Sequence, residues 1–378
     1  MYGPRTRPAI SPRRRWPLRP EPVRPEIDFS QAPFLVFWEL TRACPLACRH
    51  CRAVAQPHRH PQELTTQEGL NLLDQIKSMG TPLVIITGGD PVVRPDLLEF
   101  IRYGVGLGLR VSLAPSATAR LTPHFLEEAR QGGLGRVSLS LDGSSPDGHD
   151  RFRGVPGSYE QTAQAIHRVK ESGLPFQINT TVTQYNRRDL EALAKYVADS
   201  GAVLWDLFFL VPTGRGQEGD MLSPQEHEEA LRWLYQLSQQ APFEVKTTAA
   251  EHYRRVVRQN GGGFPGHSKD GLGRAVGVND GRGCLFVSHI GEVCPSGFLP
   301  LVAGQVRQDP LAQIYRQSPL FLALRDPDQL KGKCGRCQYR TLCGGSRARA
   351  YAVTGDPLEA EPCCIYEPDP SPGRQGVE

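Results

Sequence analysis

Three cysteines on one short stretch carry the most chemistry in this sequence. Cys44, Cys48 and Cys51 stand in TRACPLACRHC (41–51) with the spacing CxxxCxxC. Thiolates are the usual ligands of iron–sulfur clusters, and a cuboidal 4Fe–4S cluster has four irons to hold. Three thiolates this close together can grip three irons and leave the fourth open to a small molecule. A closed electron-transfer cluster offers no such position. A disulfide framework suits short secreted chains, whereas this one has 378 residues. A zinc site wants a fourth Cys or His, and His50 is at hand, so a zinc reading stays open.

The other seven of the ten cysteines lie far downstream. They read Cys284-x9-Cys294, then Cys334-x2-Cys337-x5-Cys343, then Cys363-Cys364. The middle group also has the look of a zinc ribbon. Ten cysteines in a chain without an export signal point to metal or redox chemistry in a reducing compartment.

Between these groups the sequence alternates strand-like and helix-like segments. Apolar or β-branched runs at 34–40, 82–87, 109–114, 136–141, 176–182 and 203–211 suit parallel strands buried on both faces. Thr65 with Glu68, and Ser158 with Gln161, have the spacing of a capping box. Thr122-Pro123 and Ser223-Pro224 place a capping hydroxyl before a proline at a first helical position. Leu70, Leu73, Ile76 and Met79 share one face of the first helix. Such units build either a partial βα barrel or a doubly wound open sheet, and pattern alone does not separate the two. Each polar or glycine-bearing cluster follows a strand: the cysteine loop, Gly88-Gly89-Asp90-Pro91, Pro115–Thr118, Asp142-Gly143, Thr181–Thr183, and Pro212–Gly216. That is the face on which βα barrels place their active sites.

Composition sets the bounds. Hydrophobic residues at 39% and charged ones at 22% describe a soluble globular chain with a sizeable core. A formal charge of +4 is too weak to argue for nucleic acid, and no apolar run is long enough to cross a bilayer. The Pro- and Arg-rich opening, residues 1–32, is expected to be disordered. Arg13-Arg14-Arg15 is followed by PLRPEPVRPE rather than an apolar run, so a cytoplasmic protein is expected. The expected organisation is a barrel over 33–222, a helical bridge with a glycine-rich linker over 223–282, a cysteine-rich domain over 283–366, and a tail over 367–378.

The cysteine spacing, followed at a strand end by GGDP, resembles the signature of the radical SAM enzymes. The downstream cysteines resemble the branch of that superfamily with a C-terminal SPASM or twitch-type domain. The resemblance runs from about Phe34 to Tyr366 and decides for an α/β fold, a partial (β/α)6 TIM-like barrel with a small C-terminal Fe–S domain. It implies that Cys44, Cys48 and Cys51 ligate a 4Fe–4S cluster whose open iron binds S-adenosylmethionine, which is cleaved reductively to a 5′-deoxyadenosyl radical. It further implies cofactor contacts from Gly88, Gly89, Asp90 and Pro91, from Ser140 and Asp142, and from Asn179 and Thr181. Val211 would lie beside the adenine, and His50 is either near the adenine or a solvent-facing loop residue. In HDRFRG (149–154), Arg151 or Arg153 is placed to meet a carboxylate. The SPASM pattern has a further cysteine where this chain reads GGSRARA. Cys334, Cys337, Cys343 and one of Cys363 or Cys364 then supply one auxiliary 4Fe–4S cluster. A second on Cys284 and Cys294 is present, smaller, or absent.

Three functions follow. NTTVT, FFLVPTGRG and RARAYAVTGDP resemble the radical SAM proteins of heme and heme d1 biosynthesis, which act on tetrapyrrole propionates; Arg215, Arg347 and Arg349 are candidate carboxylate binders. The alternative is maturation of a ribosomal peptide, and the third is a zinc-binding interaction protein. The resemblance implies a small-molecule or peptide substrate, a flavodoxin- or ferredoxin-type electron donor, and neither nucleic acid nor membrane as partner.

Overall fold

The computed structural model describes residues 27–263 and 277–369. Most of the expected N-terminal tail, half of the glycine-rich tract and most of the C-terminal tail lie outside them. The strands are β1 (Leu35–Glu39), β2 (Leu83–Thr87), β3 (Arg110–Leu113), β4 (Arg136–Ser140), β5 (Phe176–Val182), β6 (Leu204–Phe209), β7 (Glu244–Thr248), β8 (Cys284–Val287), β9 (Glu292–Cys294) and β10 (Gly304–Gln305). Helices α1 (Thr66–Ser78), α2 (Leu97–Gly106), α3 (Pro123–Gln131), α4 (Pro146–Arg153), α5 (Ser158–Glu171), α6 (Leu190–Ser200), α7 (Pro224–Ser238) and α8 (Tyr253–Gln259) are interleaved with the first eight strands. Four short helices follow: α9 (Leu311–Gln317), α10 (Pro319–Arg325), α11 (Gly332–Gly335) and α12 (Arg347–Thr354).

All strands join one sheet in the order β10-β9-β8-β1-β2-β3-β4-β5-β6-β7. From β1 to β7 every neighbour is the next strand in the chain and every pairing is parallel. A doubly wound sheet reverses its order at a switch point, so this is barrel winding. The six expected strands are all present, and two more extend them. β7 comes from the segment read as a helical bridge, and β8 lies parallel against the far side of β1. The order is that of an eight-stranded barrel cut between β7 and β8, leaving a seam there.

The alternation of side chains along each strand decides what faces inward. Trp38, Val84, Ile86, Val111, Val137, Leu139, Ile178 and Trp205 point outward and are buried under the helices. Leu35, Phe37, Ser112, Ser138, Gln177, Asn179, Asp206 and Phe286 point inward and line a cavity. Barrel interiors are ordinarily filled by large branched side chains. Here serines and other short or polar groups occupy several of those positions, and the interior stays hollow. Its floor is apolar: Phe34 and Leu83 pack with Ile27, Phe29 and Val278. Residues 27–32, expected to belong to a loose tail, are thus partly anchored, with Phe29 pressed beneath Gly283 and its carbonyl accepting from Tyr315 at 2.7 Å.

The expected caps of α1, α3 and α7 form as read, the first and last as full capping boxes. The start of α5 differs. Ser158 is the first helical residue after Gly157, and Asp150 supplies the acceptors, taking Gly157 N and Tyr159 N at 2.6 Å each. An acid one loop away outcompetes the local hydroxyl because a carboxylate accepts several N–H donors at once.

The C-terminal segment is tied to the barrel by Arg349 on α12, which is fully buried. Its guanidinium donates to the carbonyls of Phe209, Leu210 and Ala249 at the ends of β6 and β7, and to Glu361 at 3.2 Å. Arg347 donates to the carbonyls of Pro357 and Glu359. These two arginines are occupied by the protein itself. Removing one partner of such a buried pair typically costs about 3–5 kcal/mol. Arg349→Met is therefore expected to lower the midpoint of anaerobic urea unfolding substantially, whereas Arg151→Met, at a surface pair with Asp147, is expected to leave it nearly unchanged.

Candidate active site

The cysteine loop after β1 has little regular structure of its own and is shaped by its neighbours. Gly89 N donates to Thr41 O and Asp90 N to Ala43 O, each at 2.7 Å. Arg49 N donates to Phe152 O at 3.1 Å, and Arg215 N to Cys51 O at 3.0 Å. The loops following β2 and β6 and the end of α4 therefore grip it from three sides. Two glycines permit the approach. A β-carbon on Gly89 would stand 2.5 Å from Ala43 O, and one on Gly214 would stand 2.5 Å from Arg52 O. Gly214 also has φ of +63°, where an L side chain is strained.

This grip turns Cys44, Cys48 and Cys51 toward the mouth of a cavity of about 490 Å³. Leu46 N donates to Cys44 Sγ at 3.4 Å, and Ser116 Oγ lies 3.3 Å from the same sulfur. Arg153 Nη1 points at Cys48 Sγ from 3.6 Å, while its Nη2 lies 2.5 Å from Asp142 Oδ2. Burial raises the Cys44 thiol above its ordinary range, and the contacts from Ser116 and Leu46 oppose that. Donors and a cation aimed at the sulfurs suit thiolates that must share negative charge with a metal cluster.

The other expected site residues divide into two groups. Gly88, Gly89, Ser140, Asn179, Thr181, Val211 and His50 line the cavity. Asp90 and Asp142 sit behind it, buried, and act through hydrogen bonds. Asp90 accepts from Thr118 Oγ1 at 2.9 Å and from Ser116 N and Val92 N at 3.3 Å, tying the β2 loop to the β3 loop. Asp142 accepts from Thr181 N at 2.7 Å and holds Arg153. Pro91 is buried where it opens a short helical turn outside the cavity. His50 stacks on Phe152 at 4.4 Å and 27°. Burial, then Arg153, Arg215 and His149, push its pKa well below the ordinary value, so the ring is a neutral flat surface at the mouth.

Among the downstream cysteines, Cys334, Cys337 and Cys343 each receive a backbone N–H, from Glu361, Tyr339 and Gly345 at 3.3, 3.4 and 3.4 Å. Cys364 is an electrostatic neighbour of Cys343, and Arg255 lies beside both. Cys363 instead faces Arg349 and Glu361. Cys343 and Cys364 thus share the surroundings of one cation, Arg255. Cys284 lines the cavity and donates to Asn279 O at 3.1 Å. Cys294, outside it, has a thiol pushed up to about 12 by burial, then by Glu292 and Glu39.

Sequence reading missed the inward face of β7 and its following loop. Lys246, Thr248 and Glu251 line the cavity. Just before Glu251 the chain turns at Ala249, whose φ of +54° is unusual for a residue with a side chain. The signal was faint, because EVKTT offers Val245 as its lone apolar residue.

The description "Radical SAM superfamily" matches residues 38–197. An AdoMet-dependent heme synthase of Methanosarcina barkeri (strain Fusaro / DSM 804) is 43% identical over 352 residues, spanning 90% of this chain and 99% of that protein. The chain belongs to the radical SAM superfamily. An AdoMet-dependent heme synthase of Oleidesulfovibrio alaskensis (strain ATCC BAA-1058 / DSM 17464 / G20) is 42% identical over 352 residues, or 91% of this chain and 90% of that one. The crystal structure of Streptococcus suis SuiB bound to S-adenosylmethionine has a TM-score of 0.69 at 14% identity, over 89% of this chain and 78% of that chain. At that identity the likeness is one of fold. As a radical SAM enzyme the protein binds a 4Fe–4S cluster and S-adenosylmethionine. Among the described residues no helix is long and apolar enough to cross a membrane.

The grip on the cysteine loop separates two glycines that share a left-handed backbone. Gly214→Ala meets both strain and the carbonyl of Arg52; Gly157→Ala, with φ of +81° and nothing within reach of a β-carbon, meets strain alone. After anaerobic reconstitution, Gly214→Ala is expected to bind clearly less iron per chain and S-adenosylmethionine more weakly. Gly157→Ala is expected to match the unsubstituted protein in both.

Proposed function

We propose that this radical SAM enzyme forms heme by converting propionate side chains of an iron tetrapyrrole to vinyl groups. The observation that carries the reading is the chemistry of the cavity. Its walls include Phe37, Phe208, Phe286 and Phe298, and its cations are Arg52, Arg136, Arg153, Lys246 and Arg254, against the acids Asp206, Glu251 and Asp280. Burial and then the neighbouring Asp280 push the Glu251 carboxyl above its ordinary range, which disfavours its negative charge in the chamber. An aromatic, cation-rich chamber suits a flat ring system carrying several carboxylates. Relatives named for heme synthesis over nearly the full chain support the same substrate class.

Cys44, Cys48 and Cys51 are the residues proposed to hold the 4Fe–4S cluster. With S-adenosylmethionine bound, that group supplies a 5′-deoxyadenosyl radical, which takes a hydrogen atom from carbon. The chain's own residues position and shield. Gly88, Gly89, Ser140, Asn179, Thr181 and Val211 are proposed to line the S-adenosylmethionine site, His50 to offer its neutral ring to the adenine, and Asp142 to keep Arg153 beside Cys48. Forming each vinyl group removes one hydrogen atom and one electron from the propionate and releases carbon dioxide. An electron acceptor is therefore required, and Cys334, Cys337, Cys343 and Cys364 are proposed to hold a 4Fe–4S group suited to it. Cys284 and Cys294 are not assigned a second one, since their thiols lie in different surroundings. The enzyme is proposed to work in the cytoplasm, reduced by a flavodoxin- or ferredoxin-type protein.

The test is anaerobic turnover of the reconstituted enzyme with reductant, S-adenosylmethionine and iron coproporphyrin III. The expected result is heme, with one 5′-deoxyadenosine and one carbon dioxide per vinyl group formed. Product only from peptides encoded beside the enzyme would replace this reading with peptide maturation. Iron analysis checks the proposed ligands: Cys364→Ala is expected to lose about four irons per chain, and Cys363→Ala to retain them.

A further inference from the structure

The seam between β7 and β8 is bridged on its inner side by a continuous strip of side chains with a cation at each end. At one end Arg52 lies over the ring of Phe286 at 4.7 Å and against Gly297. A β-carbon on Gly297 would stand 2.9 Å from the guanidinium carbon, so a glycine is needed for the arginine to lie flat there. The next residue, Phe298, has its ring centre 6.1 Å from that of Phe208, with the two planes tilted by 50°. At the other end Lys246 Nζ lies 6.0 Å from the Phe208 ring. All six of these residues line the cavity.

Neither cation is spent. Lys246 Nζ donates to Asp206 Oδ2 at 2.5 Å and to Thr248 Oγ1 at 3.0 Å, and an ammonium has three donors. Its side chain keeps 44% of its exposure, whereas Asp206 beneath it keeps 2%. The carboxylate fixes the ammonium from behind and leaves its front toward the cavity. Arg52 gives one nitrogen to Glu39 Oε2 at 3.0 Å and keeps 17% of its side-chain exposure. A guanidinium has five donors, so an edge remains for a second carboxylate.

We infer that this strip is the substrate platform: an aromatic polycarboxylate packs into the angle between Phe208 and Phe298, face to one ring and edge to the other, while Lys246 and Arg52 bind carboxylates at opposite edges. The assignment rests on the tetrapyrrole reading above and adds the residues that orient the ring. It places the substrate against the open edge of the barrel, with the cysteine loop joined directly to one anchor, because Arg52 follows Cys51. Lys246 is a positioning and specificity-determining residue here, and it acts on the substrate alone.

The experiment measures binding of metal-free coproporphyrin III to the anaerobically reconstituted enzyme by its absorbance and fluorescence, with iron content checked for each variant. Lys246→Met is expected to weaken binding about tenfold, and Lys246→Arg to stay within about threefold of the parent. The same binding is expected to weaken with added salt, and the Lys246→Met variant to respond less steeply. Equal affinity in all three proteins overturns the platform, as does equal loss in both variants, which marks a packing role without charge. If the parent enzyme itself does not bind the porphyrin, the substrate class is wrong and the platform falls with it. Binding by the parent without dependence on Lys246 overturns the platform alone.

Discussion

The whole site depends on a loop that its neighbours clamp. Residues between β1 and α1 hold three thiols at a cavity mouth, and the loop's own bonds, among them Cys44 N to Gln56 O at 2.8 Å and Cys51 N to Cys48 O at 3.3 Å, make only short turns and one isolated bridge. The rest of its geometry comes from backbone-to-backbone contact with the loops after β2 and β6 and with the end of α4, at separations only glycine allows. Such contacts leave no side chain to compress, so the loop has one place to sit. Everything that positions a ligand in the barrel follows from keeping those strand ends in register.

That dependence explains why polar residues behind the cavity matter as much as those lining it. Asp90 joins the β2 loop to the β3 loop, and Asp142 joins the end of β4 to β5 and to Arg153. Asn186 adds its amide to the carbonyls of Asp142 and Thr181. Each carboxylate is buried and held by several donors, and burial still outweighs them, raising its pKa above the ordinary range. At the other side Arg349 joins the carbonyls that end β6 and β7, and thereby makes the cysteine-rich segment part of the barrel wall.

Much of this was legible in the sequence, and the remainder was hidden for identifiable reasons. The cysteine spacing, the turn at Gly88-Gly89 and the six apolar strands were visible because thiol chemistry, tight turns and two-sided burial each leave a strong mark on residue type. β7 left only a faint one: it is an edge strand with a polar inner face, and Lys246 and the threonines read as part of a helical bridge. Arg347 and Arg349 read as candidate binders of a substrate carboxylate, yet they serve backbone carbonyls, because sequence does not reveal which carbonyls are left without donors at a strand end. Asp90 and Asp142 were read as cofactor contacts, whereas both lie buried behind the cavity lining. Motif position specified the neighbourhood, and only packing specified which way each carboxylate faced. For the paired Cys363 and Cys364, adjacent residues have different leading cations, Arg349 for the first and Arg255 for the second, which residue type alone does not show.

The hollow interior has a thermodynamic consequence. Where Ser112 and Ser138 stand instead of valine or leucine, the barrel forgoes the dispersion contacts that ordinarily hold such strands together. Whatever enters the chamber restores them, and so acts as a detachable portion of the core. Occupancy and rigidity are then linked through mass action: the emptied protein is the softer one, and its guest is also its keystone.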